Sequence, residues 1–217
     1  MVVSGMVEIA LDIEFGRRWM VRLAEAIERD CAYLTRLDAA IGDADHGINM
    51  RRGMRAAVAG LEQAGPHPKT LFEQVGKALI LTVGGAGGPL YGTAFRQLGK
   101  TLPDREAVAP RQLALGLTAA LEGIQRLGAA EQGDKTMVDA FAPAVAALRQ
   151  GLTGGWPIEL GARAAADAAE AGMVATIPMR ALKGRASYLG PRSEGHQDPG
   201  ATSTALLFRS LADALGA

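Results

Sequence analysis

The stretch LALGLTAALEGIQRLG, residues 113–128, decides the fold class. Its apolar residues Leu113, Leu117, Leu121, Ile124 and Leu127 advance by four, four, three and three positions, which lines one face of an α-helix, and Gly128 ends the run. The same period extends outward in both directions. Trp19, Leu23, Ile27 and Leu34 share one face between Arg17 and Arg36, with charged residues opposite. A second helix is predicted from Asn49 to Leu61, stopped by Gly65, Pro66 and Pro68, and a third from Thr70 to Val83, with Leu71, Val75 and Leu79 on one face. Pro89 starts a fourth helix that runs to Gly99, and Pro103 to Pro110 reads as a polar connector to the fifth. A sixth spans Met137 to Gln150. The seventh, Ile158 to Ala175, is so rich in alanine that it must approach its neighbours closely. Arg180 to Gly200 is too polar and too punctuated by glycine and proline for regular structure, and an eighth helix follows from Ala201 to Leu215. No run of β-branched residues alternates with polar ones, so no strand is expected. The expected fold is all-α, one domain over residues 1–217, with eight helices running up and down.

Composition narrows the function. Lys plus Arg and Asp plus Glu both number 23, so net charge does not draw the chain to nucleic acid or membrane. Cys31 is the single cysteine, which excludes an intrachain disulfide and a multi-cysteine zinc site and reads as a packing residue. Met1 to Phe15 carries Glu8, Asp12 and Glu14 without a basic leader, and no apolar run approaches about 18 residues, so a cytoplasmic chain is expected.

In an up-and-down bundle, alternate connections fall at opposite ends. The even ones, 65–69, 101–110 and 151–157, hold ordinary turn chemistry. The odd ones hold everything reactive: DAAIGDADHG (38–47), GGAGGPL (84–90), the loop from Gly128 to Thr136, and Lys183 to Gly200. A site at one end of the bundle is the consequence.

Asp38, Asp43 and Asp45 place three carboxylates in eight residues, and like charges that close call for a cation. An all-oxygen set suits Mg²⁺ or Ca²⁺ better than zinc; the other reading is an acidic turn that caps the second helix. An EF-hand is excluded because Gly47 comes one position early and Met54 replaces the bidentate glutamate. The glycines at 84–88 before a proline-started helix suit a phosphate, or form a plain flexible connector, and they do not match the dinucleotide fingerprint because Leu90 takes its last glycine position. Gly128 to Thr136 resembles a Walker A loop, but Asp134 intrudes before Lys135 and no strand precedes it. Lys183 and Arg185 supply cations for phosphate, or a solvated basic turn. Of the three histidines, His46 and His196 fall at the reactive end and His67 at the other.

IGDADHGINM (41–50), GPLYGT (88–93), GDKTM (133–137), KGRASYLG (183–190) and GHQDPGATS (195–203), in this order along nearly the whole chain, resemble the L subunit of dihydroxyacetone kinase. The resemblance implies an eight-helix, barrel-like bundle with ADP or ATP and two Mg²⁺ ions at one end. Asp38, Asp43 and Asp45 would be the metal ligands. His46, Gly47, Ile48, Asn49, Ala86, Gly87, Gly128, Met137, Arg185, Asp198, Pro199 and Gly200 would line the nucleotide, with Arg185 also a catalytic clamp on phosphate. The family usually has serine where this chain has Gly87. The resemblance also implies a phosphotransferase whose ketose is held on a separate K subunit, whose bound ADP is rephosphorylated by a phosphohistidine on an M subunit, and which forms a homodimer. Three alternatives stay open: an ATP-dependent kinase subunit for another small ketose or polyol, a nucleotide-sensing regulatory partner, and a phosphohistidine carrier that uses His46 or His196.

Overall fold

A computed structural model describes residues 11–216. Glu8 and the other nine opening residues, on which the expectation of no leader largely rests, lie outside the described residues. The described residues form eight α-helices: α1 Ile13–Ile41, α2 His46–Ala59, α3 Pro68–Thr82, α4 Gly87–Thr101, α5 Pro110–Gly128, α6 Val138–Thr153, α7 Ile158–Ala175 and α8 Pro199–Leu215. Each helix packs on the next and α1 packs on α8, so the bundle closes into a ring. None is long and apolar enough to cross a membrane.

Local chemistry explains most of the boundaries. The Asp12 carboxylate accepts the Phe15 N–H at 2.8 Å and starts α1. Pro68, Pro110 and Pro199 open α3, α5 and α8, where a missing N–H costs nothing. On α5, Leu113, Leu117 and Ile124 are buried but Leu127 is 53% exposed, because Gly116 and Gly123 shift the buried face toward α4. Gly128 does not terminate α5 by its own conformation; Ala129 takes the left-handed turn at φ 46°. The small residues of α7 permit close packing as expected: Ala162, Ala165, Ala166 and Ala169 are buried, and a Cβ on Gly172 would lie 2.1 Å from the Asp139 carbonyl oxygen. Trp19 anchors the core with its ring centroid 5.5 Å from Phe72 and 6.1 Å from Phe95. Its indole N–H donates to the Leu207 carbonyl at 3.1 Å, so the closure of α1 on α8 satisfies this buried donor.

Four expectations are corrected. Leu11–Asp12 pairs antiparallel with Ala107–Val108, a ladder of two residues per strand that is too short to show any alternation. The stretch read as irregular contains a 3₁₀ segment, Arg185–Ser193, kinked at Gly190, where short-range turn bonds replace a regular helix. The second helix ends at Ala59 and tightens into a 3₁₀ turn at Leu61–Gln63. The first helix continues past Arg36 to Ile41, so Asp38 stands on its last turn and not in the loop.

Candidate functional site

The four odd connections meet at one end of the ring around a cavity of about 270 Å³. Its wall includes Asp38, Asp43, Asp45, His46, Asn49, Ala86, Gly87, Gly128, Met137, Arg185, Asp198, Pro199 and Gly200. Two expected site residues stand elsewhere. Gly47 packs against α1, where a Cβ would fall 2.1 Å from the Cys31 carbonyl oxygen, and Ile48 is 46% exposed and off the cavity wall.

The three aspartates are gathered by a helix end and a sharp turn. Oxygens of Asp38, Asp43 and Asp45 lie within 4.8 Å of one another. Ala44, between the last two, adopts φ 63°, a left-handed conformation that turns the chain tightly. Asp38 Oδ2 accepts the backbone N–H groups of Asp45 at 2.8 Å and His46 at 3.1 Å, so the capping role of the alternative reading does exist, filled by one oxygen of one aspartate. Asp45 stands at the N-cap of α2 and makes no side-chain cap bond. Asp43 meets Arg185 at 3.0 Å. That pair is largely solvated, so its strength is modest. Gly42 is required locally, because a Cβ there would lie 2.0 Å from Asp38 Oδ1. The donor set is oxygen only, as a hard divalent cation demands.

Opposite the acids, α4 begins at Gly87 with no side-chain cap, which leaves backbone N–H groups at the positive end of a helix beside the cavity. Gly85 turns at φ 62°, and a Cβ on Gly87 would sit 3.4 Å from Val83 Cγ1, so a serine side chain has room there. Leu90, Ile124, Met137 and Val138 add an apolar wall.

His46 is held by a buried hydroxyl chain. Its Nε2 lies 2.9 Å from Ser203 Oγ, which lies 2.7 Å from the Tyr91 hydroxyl, itself 2.9 Å from Thr204 Oγ1. Desolvation lowers the His46 pKa although Asp38 and Asp45 oppose it, and burial pushes the Tyr91 phenol up to about 12. Tyr91 and Ser203 carry no recognisable spacing signal beyond their place in the two motifs that hold them. Asp139 does carry one: Thr136-x-x-Asp139 is the spacing of a capping box, and Asp139 accepts the N–H groups of Thr136 at 2.7 Å and Gly133 at 2.5 Å. Lys135, in the loop that resembles Walker A, lines the cavity, but its ammonium is engaged by the carbonyls of Thr176, Ile177 and His196.

Asp198 is 8% exposed and caps α8 by accepting the Ala201 N–H at 2.7 Å. Burial raises its carboxyl pKa from 3.8 to about 7, against the opposing pull of the Ala201 N–H and the Lys135 charge. The folded state therefore holds a proton that the unfolded state releases between about pH 4 and 7, so stability is highest below that window and declines as pH rises through it. Asp198→Asn cannot ionise and keeps an acceptor for Ala201. Its unfolding midpoint in urea is expected to vary less between about pH 5 and 7 than that of the natural chain; equal slopes in both proteins would contradict this.

A DAK2 domain model matches residues 40–213. The chain is 41% identical over 202 residues to the ADP-binding subunit DhaL of PEP-dependent dihydroxyacetone kinase 1 from Listeria innocua, covering 92% of this chain and 96% of that protein. It is 40% identical over 195 residues to the ADP-binding subunit DhaL of PEP-dependent dihydroxyacetone kinase from Escherichia coli K12, covering 89% and 93%. The crystal structure of the dihydroxyacetone kinase from C. freundii in complex with AMP-PNP and Mg²⁺ superposes with a TM-score of 0.65 at 28% identity over 98% of this chain, which spans 37% of that longer one. The chain belongs to the DAK2 domain family and, within it, to the L subunits of dihydroxyacetone kinase, a phosphotransferase.

Proposed function

We propose that this chain binds ADP or ATP with two Mg²⁺ ions in the cavity and passes a phosphoryl group to dihydroxyacetone, or a related small ketose, held on a separate K subunit. ADP would stay bound as a coenzyme and be rephosphorylated by the phosphohistidine of an M subunit. The observation that carries the reading is the meeting of three aspartate oxygens, within 4.8 Å of one another, with the uncapped start of α4 across one cavity. The names of the relatives support it, since both DhaL proteins are described as ADP-binding and PEP-dependent and the C. freundii complex holds AMP-PNP and Mg²⁺.

In this reading Asp38, Asp43 and Asp45 hold the metal. A divalent cation held there would supply positive charge to the phosphate during transfer. The backbone N–H groups at Ala86 and Gly87 bind phosphate through the helix end, and Arg185 clamps it as the catalytic cation. His46, Asn49, Gly128, Met137 and Asp198 to Gly200 enclose the nucleoside. Gly47 and Ile48 contribute through the backbone position of the α2 start and not as cavity wall. Positioning supplies most of the catalysis, since neither nucleophile nor ketose pocket is required of this subunit.

Two measurements test this together. Heat denaturation of the purified protein with Mg²⁺ should release about one adenine nucleotide per chain, and reconstitution with K and M partners should form ketose phosphate from phosphoenolpyruvate. Release of no nucleotide, with phosphate found on His46 or His196 instead, would replace the reading with that of a phosphohistidine carrier.

A further inference from the structure

We infer that Lys135 is a positioning residue for the nucleotide site: its buried ammonium staples the end of α7 and the approach to α8 onto the α5–α6 loop, and so sets Asp198 to Gly200 against Met137. The inference rests on the reading that the cavity takes a nucleotide.

The Lys135 side chain is 1% exposed. An ammonium has three N–H donors, and three backbone carbonyls surround this one: Thr176 at 2.6 Å, Ile177 at 3.4 Å, and His196. No donor is left over for a ligand. Two of these carbonyls follow the C-terminal end of α7, where the helix dipole favours a cation, and the carboxylates of Asp198, Glu194 and Asp139 add to the field that favours the charge.

From there the link to the site is short. The Thr176 hydroxyl accepts the Asp198 N–H at 3.0 Å, and Asp198 caps α8 through Ala201. Gly195 N–H donates to the Ile177 carbonyl at 2.8 Å, which ties the other side of the same loop. On the lysine's own side, Met137 lies two residues along, and a Cβ on Gly200 would stand 3.5 Å from the Met137 nitrogen. Two segments proposed to hold the nucleotide, remote in sequence, are thus brought into contact beside a single side chain. The backbone at Lys135 adopts φ 61°, a left-handed conformation that is strained outside glycine. A glycine would relieve that strain but cannot reach the carbonyls.

The test uses Lys135→Met, which keeps the stem and removes the donors, and Thr176→Val, which leaves the Thr176 carbonyl in place and removes the hydroxyl that accepts from Asp198 and donates to the Met173 carbonyl. Affinity for Mg²⁺–ADP is measured by calorimetry and amide exchange by mass spectrometry. For Lys135→Met, about a ten-fold loss of affinity or more is expected, with exchange accelerated at residues 194–202 and unchanged in α3 and α4. Thr176→Val should give a smaller loss in the same direction with the same localisation; if Lys135→Met does not fold, Lys135→Gln, which keeps amide donors but no charge and one bond less of reach, takes its place with the same expected outcome. Affinity within two-fold of the natural chain in both variants, or exchange raised evenly through all helices, would overturn the inference. If the natural chain binds no Mg²⁺–ADP, the nucleotide reading fails, and the exchange pattern alone still judges the staple.

Discussion

Asp43→Ala is expected to reduce phosphoryl transfer in the reconstituted system to a small residual rate while leaving the fold intact. Asp43 sits in the α1–α2 loop, is partly exposed, and caps no helix; its one partner is the solvated Arg185. Its loss should change stability by no more than about 0.5 kcal/mol. The chemistry is another matter. Removing one of three clustered carboxylates takes away a proposed metal ligand and leaves Arg185 without the acid beside it. If each electrostatic contact of this kind stabilises the transition state by about 4 kcal/mol, the rate falls on the order of a thousand-fold. Mn²⁺ binding in the presence of ADP should weaken in parallel. Full transfer with bound nucleotide in this variant would remove Asp43 from the metal set. Asp38 is a less clean probe, because its Oδ2 also caps α2 through Asp45 and His46, so its removal mixes folding with function.

Gly47→Ala should act in the opposite way, through stability. Gly47 was expected to contact the nucleotide, yet its Cα faces α1: an added Cβ would lie 2.1 Å from the Cys31 carbonyl oxygen, 2.5 Å from Thr35 Oγ1 and 2.9 Å from the Thr35 nitrogen. Two of these are backbone atoms inside a helix, and they cannot yield unless α2 moves off α1. Overpacking of this kind costs about 3 kcal/mol, read as a lower urea midpoint at unchanged slope. The displacement would also draw the His46 N–H away from Asp38, so metal affinity should fall even where the variant remains folded. Stability within about 0.5 kcal/mol of the natural chain would show that α2 can shift without resistance.

These two residues illustrate what was readable in advance. Asp43 announced itself, because three like charges in one short segment are costly unless something neutralises them, and that cost depends only on residue type and spacing. Gly47 lies four residues on and looks the same in sequence whether it faces a ligand or a helix. Lys135 is a similar case: a lysine after a glycine-rich run suggests phosphate, but its reach is spent on carbonyls more than forty positions downstream. The hydroxyl chain from His46 through Ser203 to Tyr91 joins three helices, and nothing local marks it.

By itself, then, the sequence determined that the protein is helical, that its connections are of two kinds, and that a cluster of carboxylates belongs with the glycine-rich loops. Each of these follows from periodicities and charges that act over a turn or a few residues. Only the tertiary structure decided that α1 carries Asp38 on its last turn, that two-residue strands tie 11–12 to 107–108, that Gly47 is a packing position, and that the Lys135 ammonium is spent on backbone carbonyls. Those outcomes depend on which helix faces meet once the ring closes. That pairing is set by close contacts between side chains distant in sequence, a quantity that no local pattern encodes.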